Sequence, residues 1–377
     1  MKNSNGSQTP SHLTVFAGPT GGHLFPALAF AEAWREQHPA SRIVLITGRR
    51  AQDVTGTGAF ACFDALVFLP DFPLPTRLSY RIVPFLLKIT ASFGICLLHL
   101  ITRRPAVCVG FGSYAAFPGT CLASWMKIPV LIHEQNLVPG KATKELLRFA
   151  DCAAFSFEET VQKFPSQRSE WVGFPIRKAL CDKNPRRDRA GNEKRFVLLV
   201  VGGSQGAGAL NRLVLEALTQ LPHEEKKRMA VIHIAGHHDA AWIKQRYEEI
   251  ELDSQVFSFS HDMASLYQQA DLAITRAGAG TIFELAHYGL PSICIPYPYA
   301  GGHQKENAAF FERHQAIIVK AESDLSAAWL AETVRDLMLE PARLRQMSDA
   351  IGHFRTEDAA GKLVALSEEL MLQGRQN

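Results

Sequence analysis

The chain has 377 residues and lacks several features that would have classified it at once. Its seven cysteines (Cys62, Cys96, Cys108, Cys121, Cys152, Cys181 and Cys294) are odd in number, widely spaced and nowhere form C-x-x-C. That argues against a disulfide framework or a cysteine zinc site and fits reduced thiols in a cytoplasmic protein. H-E-x-x-H, the Walker loop and G-x-G-x-x-G are all missing, which removes the zinc proteases, the P-loop NTPases and the standard dinucleotide fingerprint. Neither a metal nor a cofactor is therefore expected. The net charge is only +3, too little to argue for nucleic acid. Met1 to Leu13 is polar and has no apolar h-region, so no secretory signal is expected. Short-period repeats and low-complexity tracts are absent too.

One local absence is informative. From Phe72 to His133 there is no Asp or Glu, where chance would put about six, yet Arg77, Arg81, Lys88, Arg103, Arg104 and Lys127 all fall there. An apolar, purely basic stretch suits an anionic membrane surface. A buried apolar region with incidental basic residues is the alternative. Within it, Ile82 to Ile101 approaches the length of a membrane span. Pro84, Lys88 and His99 make a span costly. The segment reads as one or two amphipathic helices, partly buried and partly at the membrane interface.

What is present is ordinary in bulk: 47% hydrophobic and 20% charged residues, enough for a normal core, and a length that suits two domains. Leu13–Ala17 reads as a strand ending in Gly18-Pro19-Thr20-Gly21-Gly22-His23. A helix follows, with Leu24, Ala27, Leu28 and Ala31 on one face. Further strands are expected at Arg42–Thr47, Val107–Gly110 and Pro129–His133. Ile176–Arg195 is polar and Lys/Arg-rich, as a connector would be. The pattern then restarts: strand Phe196–Val201, a Gly-rich turn (Gly202-Gly203-Ser204-Gln205-Gly206), and a helix carrying Leu210, Leu213, Val214, Ala217 and Leu218. Strands Val231–Ala235, Asp271–Thr275 and Ser292–Tyr297 follow, and the tail beyond Gly352 reads as a helix. Strands alternating with helices imply parallel sheets, right-handed, with ligands at the strands' carboxyl ends. The expected domains are 12–176 and 196–350, with a linker at 177–195 and a C-terminal helix and tail at 351–377.

Each candidate site has a functional and a plainer reading. Glycines in Gly18–Gly22 let the backbone approach a phosphate, with helix N–H groups aimed at it; many α/β turns are equally Gly-rich. His23, in the first helical turn, sits where imidazolium is disfavoured, which suits a general base; it is otherwise a capping or packing histidine. Gly202–Gly206 is a diphosphate loop or a tight turn. Arg276-Ala277-Gly278-Ala279-Gly280-Thr281-Ile282-Phe283-Glu284 lets a nucleoside lie on the backbone with Glu284 on the ribose, but Thr281-x-x-Glu284 is also a capping box. His133-Glu134-Gln135-Asn136 and His303-Gln304 with Asn307 carry amides that suit sugar hydroxyls or simply brace loops.

Together, and in this order, these segments resemble the MurG family, bacterial N-acetylglucosaminyltransferases that convert lipid I to lipid II in peptidoglycan synthesis. The likeness runs from about Leu13 to Val319. It rests on Gly18–His23 with Phe25-Pro26-Ala27-Leu28-Ala29, Val109–Tyr114, His133–Asn136, Val172-Gly173-Phe174-Pro175-Ile176-Arg177, Leu198–Gly206 with Asn211, and Gly278–Glu284 with Gly289-Leu290-Pro291. The resemblance implies a GT-B fold, two Rossmann-like parallel-sheet domains facing across a cleft, with UDP-GlcNAc mainly on the second. It implies His23 as general base in the loop Thr20-Gly21-Gly22, and Ser204 and Arg177 near the diphosphate. It places Glu284 on the ribose, Ser260 and the backbone of Ala279, Gly280, Thr281, Ile282 and Phe283 near the uridine, and Gln304 and Asn136 on the GlcNAc. The reaction would be inverting and metal-independent. It would run at the cytoplasmic face of the membrane, on a peripheral enzyme whose lipid I acceptor lies in the bilayer and whose Trp125 and Phe85 are candidate anchors. Pro19, Ser260 and Tyr299–Gly302 depart from the family pattern. A glycolipid glycosyltransferase, a UDP-GlcNAc 2-epimerase and a non-catalytic partner of cell-wall enzymes are the rivals. The His-Glu-Gln-Asn segment speaks against the first. The lack of a carboxylate cluster speaks against the second, and the combination of His23, Glu284 and Gln304 against the third.

Overall fold

In the computed structural model, residues 12–54, 58, 60–71, 82–165, 168–181, 195–202, 208–298 and 302–374 are described. Ser204, most of the expected linker, Arg77, Arg81 and Tyr299–Gly301 fall outside them. The chain divides into two compact units, Met1–Lys178 with Glu357–Asn377 and, between them, Ala179–Thr356.

Unit 1 holds a seven-stranded sheet with every pairing parallel: β1 (His12–Phe16), β2 (Arg42–Gly48), β3 (Ala65–Leu69), β4 (Val107–Gly110), β5 (Val130–Glu134), β6 (Cys152–Phe155) and β7 (Ser169–Trp171), in the order β3-β2-β1-β4-β5-β6-β7. The central strands are buried on both faces, which is why they read as continuous apolar runs. Alternate residues of β1 serve different layers: Leu13 and Val15 join one core with Trp34 and Leu131, while Phe16 joins the other with Val44, Ile132 and Phe155. The helices are α1 (Gly21–Gln37), α2 (Ala51–Val54), α3 (Ile82–Arg103), α4 (Phe117–Trp125), α5 (Lys141–Leu146), α6 (Glu158–Val161) and α7 (Lys178–Cys181), the last at the boundary between units.

Unit 2 repeats the plan with six parallel strands, β8 (Phe196–Val201), β9 (Met229–Ile234), β10 (Ser254–Phe257), β11 (Leu272–Thr275), β12 (Ser292–Cys294) and β13 (Ile317–Val319), in the order β10-β9-β8-β11-β12-β13. Strand β12 is shorter than its apolar run predicts. Pro296 and Pro298 have no N–H with which to extend a ladder. The helices are α8 (Gly208–Thr219), α9 (His223–Lys227), α10 (Ala240–Glu249), α11 (Met263–Gln269), α12 (Ala279–Tyr288), α13 (His303–Arg313), α14 (Ala327–Leu339) and α15 (Pro341–Gly352). Gly289 ends α12 in the left-handed conformation (φ +58°) with its N–H on the carbonyls of Ala286 and Leu285, and Pro291 follows. The last helix, α16 (Ala359–Gly374), returns to unit 1, where Leu363, Val364 and Leu370 complete the core behind α1.

The apolar segment at Ile82–Ile101 is one helix, α3, long and apolar enough to cross a membrane by length and composition (mean hydropathy 1.8). One face is committed to protein: Ser92, Cys96 and Leu100, four residues apart, are fully buried, and the last two lie in the core with Cys108, Ala123 and Val130. The other face shows Val83, Leu86, Leu87, Leu97, Leu98 and Ile101 to solvent, Leu87 at 68% exposure. His99, pushed down to about 4 by burial, ties the helix to β1 through its Nε2 and the Thr14 hydroxyl (2.9 Å). It is a helix lying on the protein with a bare apolar outer face.

Candidate active site

In a parallel sheet the natural crevice lies at the carboxyl ends of the two strands where the order reverses. In unit 1 those strands are β1 and β4. The loops leaving them meet: the Phe111 N–H donates to the Phe16 carbonyl (2.8 Å), and a Cβ on Gly18 would lie 2.5 Å from the Ser113 Cβ and 3.0 Å from His23 Nδ1. Only glycine lets these loops touch. Gly112, at φ +76°, does the same from the other side; a Cβ there would meet His23 Cδ2 and Thr143 Oγ1, each at 3.2 Å. His23 therefore stands at the switch point. Thr20 is the N-cap of α1, Gly21 and Gly22 are its first two helical residues and His23 the third, with Nδ1 3.0 Å from Thr20 Oγ1. Thr20, Gly21, Gly22 and His23 thus make up the N-cap and first turn of α1.

The neighbouring strand end is rigid. His133 is fully buried, and burial pushes it down to about 4, so it is neutral. Gln135 donates through Nε2 to His133 Nδ1 (3.1 Å), which makes Nε2–H the donor to the Gly173 carbonyl (3.2 Å). Asn136 is braced by Glu134, whose Oε1 accepts from the Asn136 N–H (2.8 Å) and Nδ2 (2.9 Å). The first three residues of the segment thus brace the loop, and Asn136 follows at the strand's carboxyl end. Arg177 belongs to unit 1, with its guanidinium 4.4 Å above the Phe25 ring of α1.

In unit 2 the order reverses between β8 and β11. Strand β8 precedes the Gly-rich segment, and β11 runs through Arg276 into α12. The N-cap of α12 is Gly278, so Ala279, Gly280 and Thr281 form its first turn. Thr281-x-x-Glu284 is therefore not a capping box, because Thr281 is already the third helical residue. Glu284 instead accepts from the Tyr267 hydroxyl of α11 at 2.7 Å. The loop before α11 is tied in the same way: Ser260 Oγ accepts from the Asp262 N–H (3.2 Å), and Asp262 caps Ser265 (3.1 Å). Beyond β12, Gln304 turns its carbonyl oxygen onto the Tyr297 N–H (2.8 Å), so its amide nitrogen is the end that can donate to a ligand. Arg276, nearly buried, pairs with Glu322 at 2.5 Å and lies 5.5 Å from the Tyr297 ring. Ala279–Glu284 and Gln304 thus follow the neighbouring strands β11 and β12, while Ser260 follows the edge strand β10 and leads into α11, whose Tyr267 holds Glu284. Tyr267, Arg276 and Glu322, which hold them, carry no motif that would have revealed their partners. Among the described residues no group of three or more His, Cys, Asp or Glu gathers to hold a metal.

Two family descriptions match this chain: the N-terminal domain of glycosyltransferase family 28 over residues 13–155 and its C-terminal domain over residues 197–363. The UDP-N-acetylglucosamine–N-acetylmuramyl-(pentapeptide) pyrophosphoryl-undecaprenol N-acetylglucosamine transferase of Desulfotalea psychrophila is 34% identical over 95% of this chain and 96% of its own. The enzyme of the same description from Thiobacillus denitrificans is 35% identical, covering 95% and 98%. Among solved structures, Acinetobacter baumannii MurG superposes with a TM-score of 0.76 at 28% identity, over 96% of this chain and all of that one. A UDP-N-acetylglucosamine 2-epimerase shares the fold at a TM-score of 0.67 but only 13% identity.

Proposed function

We infer the reaction from the family to which the chain belongs, the MurG glycosyltransferases of family 28: it transfers N-acetylglucosamine from UDP-GlcNAc to the muramyl sugar of lipid I, giving lipid II for peptidoglycan. The reaction inverts the anomeric centre. The C4 hydroxyl of the muramyl residue attacks from the face opposite UDP and must lose a proton as it does so. His23 takes that proton. The observation that carries this role is its place at the switch point of unit 1, with both neighbouring loops in contact with its ring. Nδ1 is engaged with Thr20 Oγ1, so Nε2 is the nitrogen that takes the proton.

The donor binds unit 2. Glu284, already oriented by Tyr267, takes the ribose hydroxyls, and the first turn of α12 with Ser260 frames the uridine. Gln304 and Asn136 hold the GlcNAc, and Arg177 and Ser204 serve the diphosphate, whose charge is stabilised by aligned N–H groups. Labelled UDP-GlcNAc mixed with a short-chain lipid I analogue should give transfer that depends on the acceptor. A donor left untouched, or epimerised, with the acceptor present would mean the wrong chemistry on the right fold.

Membrane contact is the further part of this proposal. Its support is the bare outer face of α3, together with Trp125, 70% exposed, and the exposed cations Lys88, Arg103, Arg104 and Lys127 around it. A buried leucine contributes about 1.5–3 kcal/mol, so replacing two should weaken binding at least about tenfold. Leu87→Ser/Leu98→Ser should therefore lose co-sedimentation with vesicles containing phosphatidylglycerol while still glycosylating a water-soluble acceptor. Unchanged sedimentation would place the contact elsewhere.

A further inference from the structure

Unit 2 contains a buried polar chain that the reaction as described does not use. Tyr247 of α10, His233 of β9 and Asn211 of α8 are each fully buried. The Tyr247 hydroxyl lies 2.8 Å from His233 Nδ1, and His233 Nε2 lies 3.1 Å from Asn211 Oδ1. Asn211 Nδ2 donates in turn to the Ala235 carbonyl (2.9 Å) and to Asp239 Oδ2 (2.8 Å).

The direction of every bond follows from the two acceptors at the end. A carbonyl and a carboxylate can only accept, so the Asn211 NH2 must face them and its oxygen must face His233. Nε2 of His233 then carries the proton, and Nδ1 accepts from Tyr247. Burial pushes His233 down to about 3, so the ring is neutral and holds this tautomer. Donors therefore point one way, from Tyr247 through His233 and Asn211 to Asp239, and bonds aligned like this reinforce one another.

Asp239 strengthens the case. It is the N-cap residue of α10, yet its side chain makes no cap bond there. The carboxylate points across to Asn211, and it lies 3.3 Å from where a Cβ on Gly208 would be. Gly208 is the first residue of α8, which follows the Gly-rich segment after β8. The chain thus ties the first turn of α8 to the end of β9 and the start of α10, beside the strand where the sheet order reverses. Apolar side chains would hold a helix there as firmly; what a directed polar chain adds is one orientation.

We propose that His233 is a positioning residue for the donor diphosphate, acting through Asn211 and Asp239 to fix the first turn of α8 in the orientation whose N–H groups meet it. This rests on the reading that the donor binds unit 2. The test is UDP affinity by calorimetry and the KM for UDP-GlcNAc in three full-length variants, beside melting temperature. His233→Leu, which breaks both bonds and strands Asn211, should raise Kd and KM at least about tenfold with kcat little changed. His233→Gln, which can accept from Tyr247 and donate to Asn211, should restore most of the affinity. Tyr247→Phe should fall between them. If His233→Leu does not fold, the contrast between His233→Gln and Tyr247→Phe carries the same comparison. Lowered melting temperatures with unchanged Kd and KM would make the network structural and overturn the inference. A wild-type chain that binds no UDP would instead overturn the donor reading, and the inference with it.

Discussion

His23→Ala should bind UDP as the parent does and turn over at least about a hundred times more slowly, the usual scale for loss of a general base. The expectation follows from where the ring sits. It is the third residue of α1, held by Thr20 and beside the loops after β1 and β4, and it belongs to unit 1, whereas the residues proposed for the uridine and ribose lie in unit 2. Removing the imidazole therefore removes proton acceptance and leaves the uridine and ribose contacts in place. Single-turnover transfer to a lipid I analogue, with UDP affinity by calorimetry, separates the two. Equal losses in affinity and rate would make His23 a structural cap of α1. Lost stability with an unchanged rate per folded molecule would do the same.

Glu284→Ala should weaken UDP-GlcNAc about 10- to 100-fold, the scale for losing hydrogen bonds to a charged group. Two effects combine. The ribose hydroxyls lose their acceptor, and the Tyr267 hydroxyl, buried in the interior, loses the carboxylate it donates to. Tyr267→Phe tests the brace alone, since it removes the hydroxyl and leaves the carboxylate in place, and should cost clearly less. A Glu284→Ala chain with parental affinity for UDP-GlcNAc would move the ribose contact elsewhere.

The turn at His23 was readable in the sequence where close backbone approach demands glycine. Gly18 marks the turn that carries His23, where a Cβ would lie 2.5 Å from the Ser113 side chain. Apolar runs give the strands β1, β4, β8 and β11, but the strand order that makes them switch points belongs to the fold. What failed was local pattern matching. Thr281 and Glu284 have the spacing of a capping box, but the N-cap is Gly278, three residues earlier, and Glu284 is claimed by a tyrosine 17 residues back in the chain. The short strands β3, β7, β10 and β13 give too few alternations to stand out from their surroundings. The polar chain through His233 was invisible for a different reason: its members at 211, 233, 239 and 247 sit on two helices, a strand and a loop end, and no periodicity links them. In α3 the unbroken apolar composition hid the distinction that matters, between the stripe that packs on the sheet and the stripe that does not.

The return of α16 to unit 1 has a consequence for biosynthesis. Leu363, Val364 and Leu370 close a core that otherwise draws on residues up to Val172, so nearly the whole of unit 2 is translated before unit 1 receives its last helix. The emerging N-terminal half must wait with the α1 side of its sheet uncovered until α16 has been synthesised, whereas unit 2 is contiguous and has its full complement of residues earlier. A chain ended before Ala359 would carry every residue proposed here for chemistry, yet leave that apolar surface to water or to a chaperone.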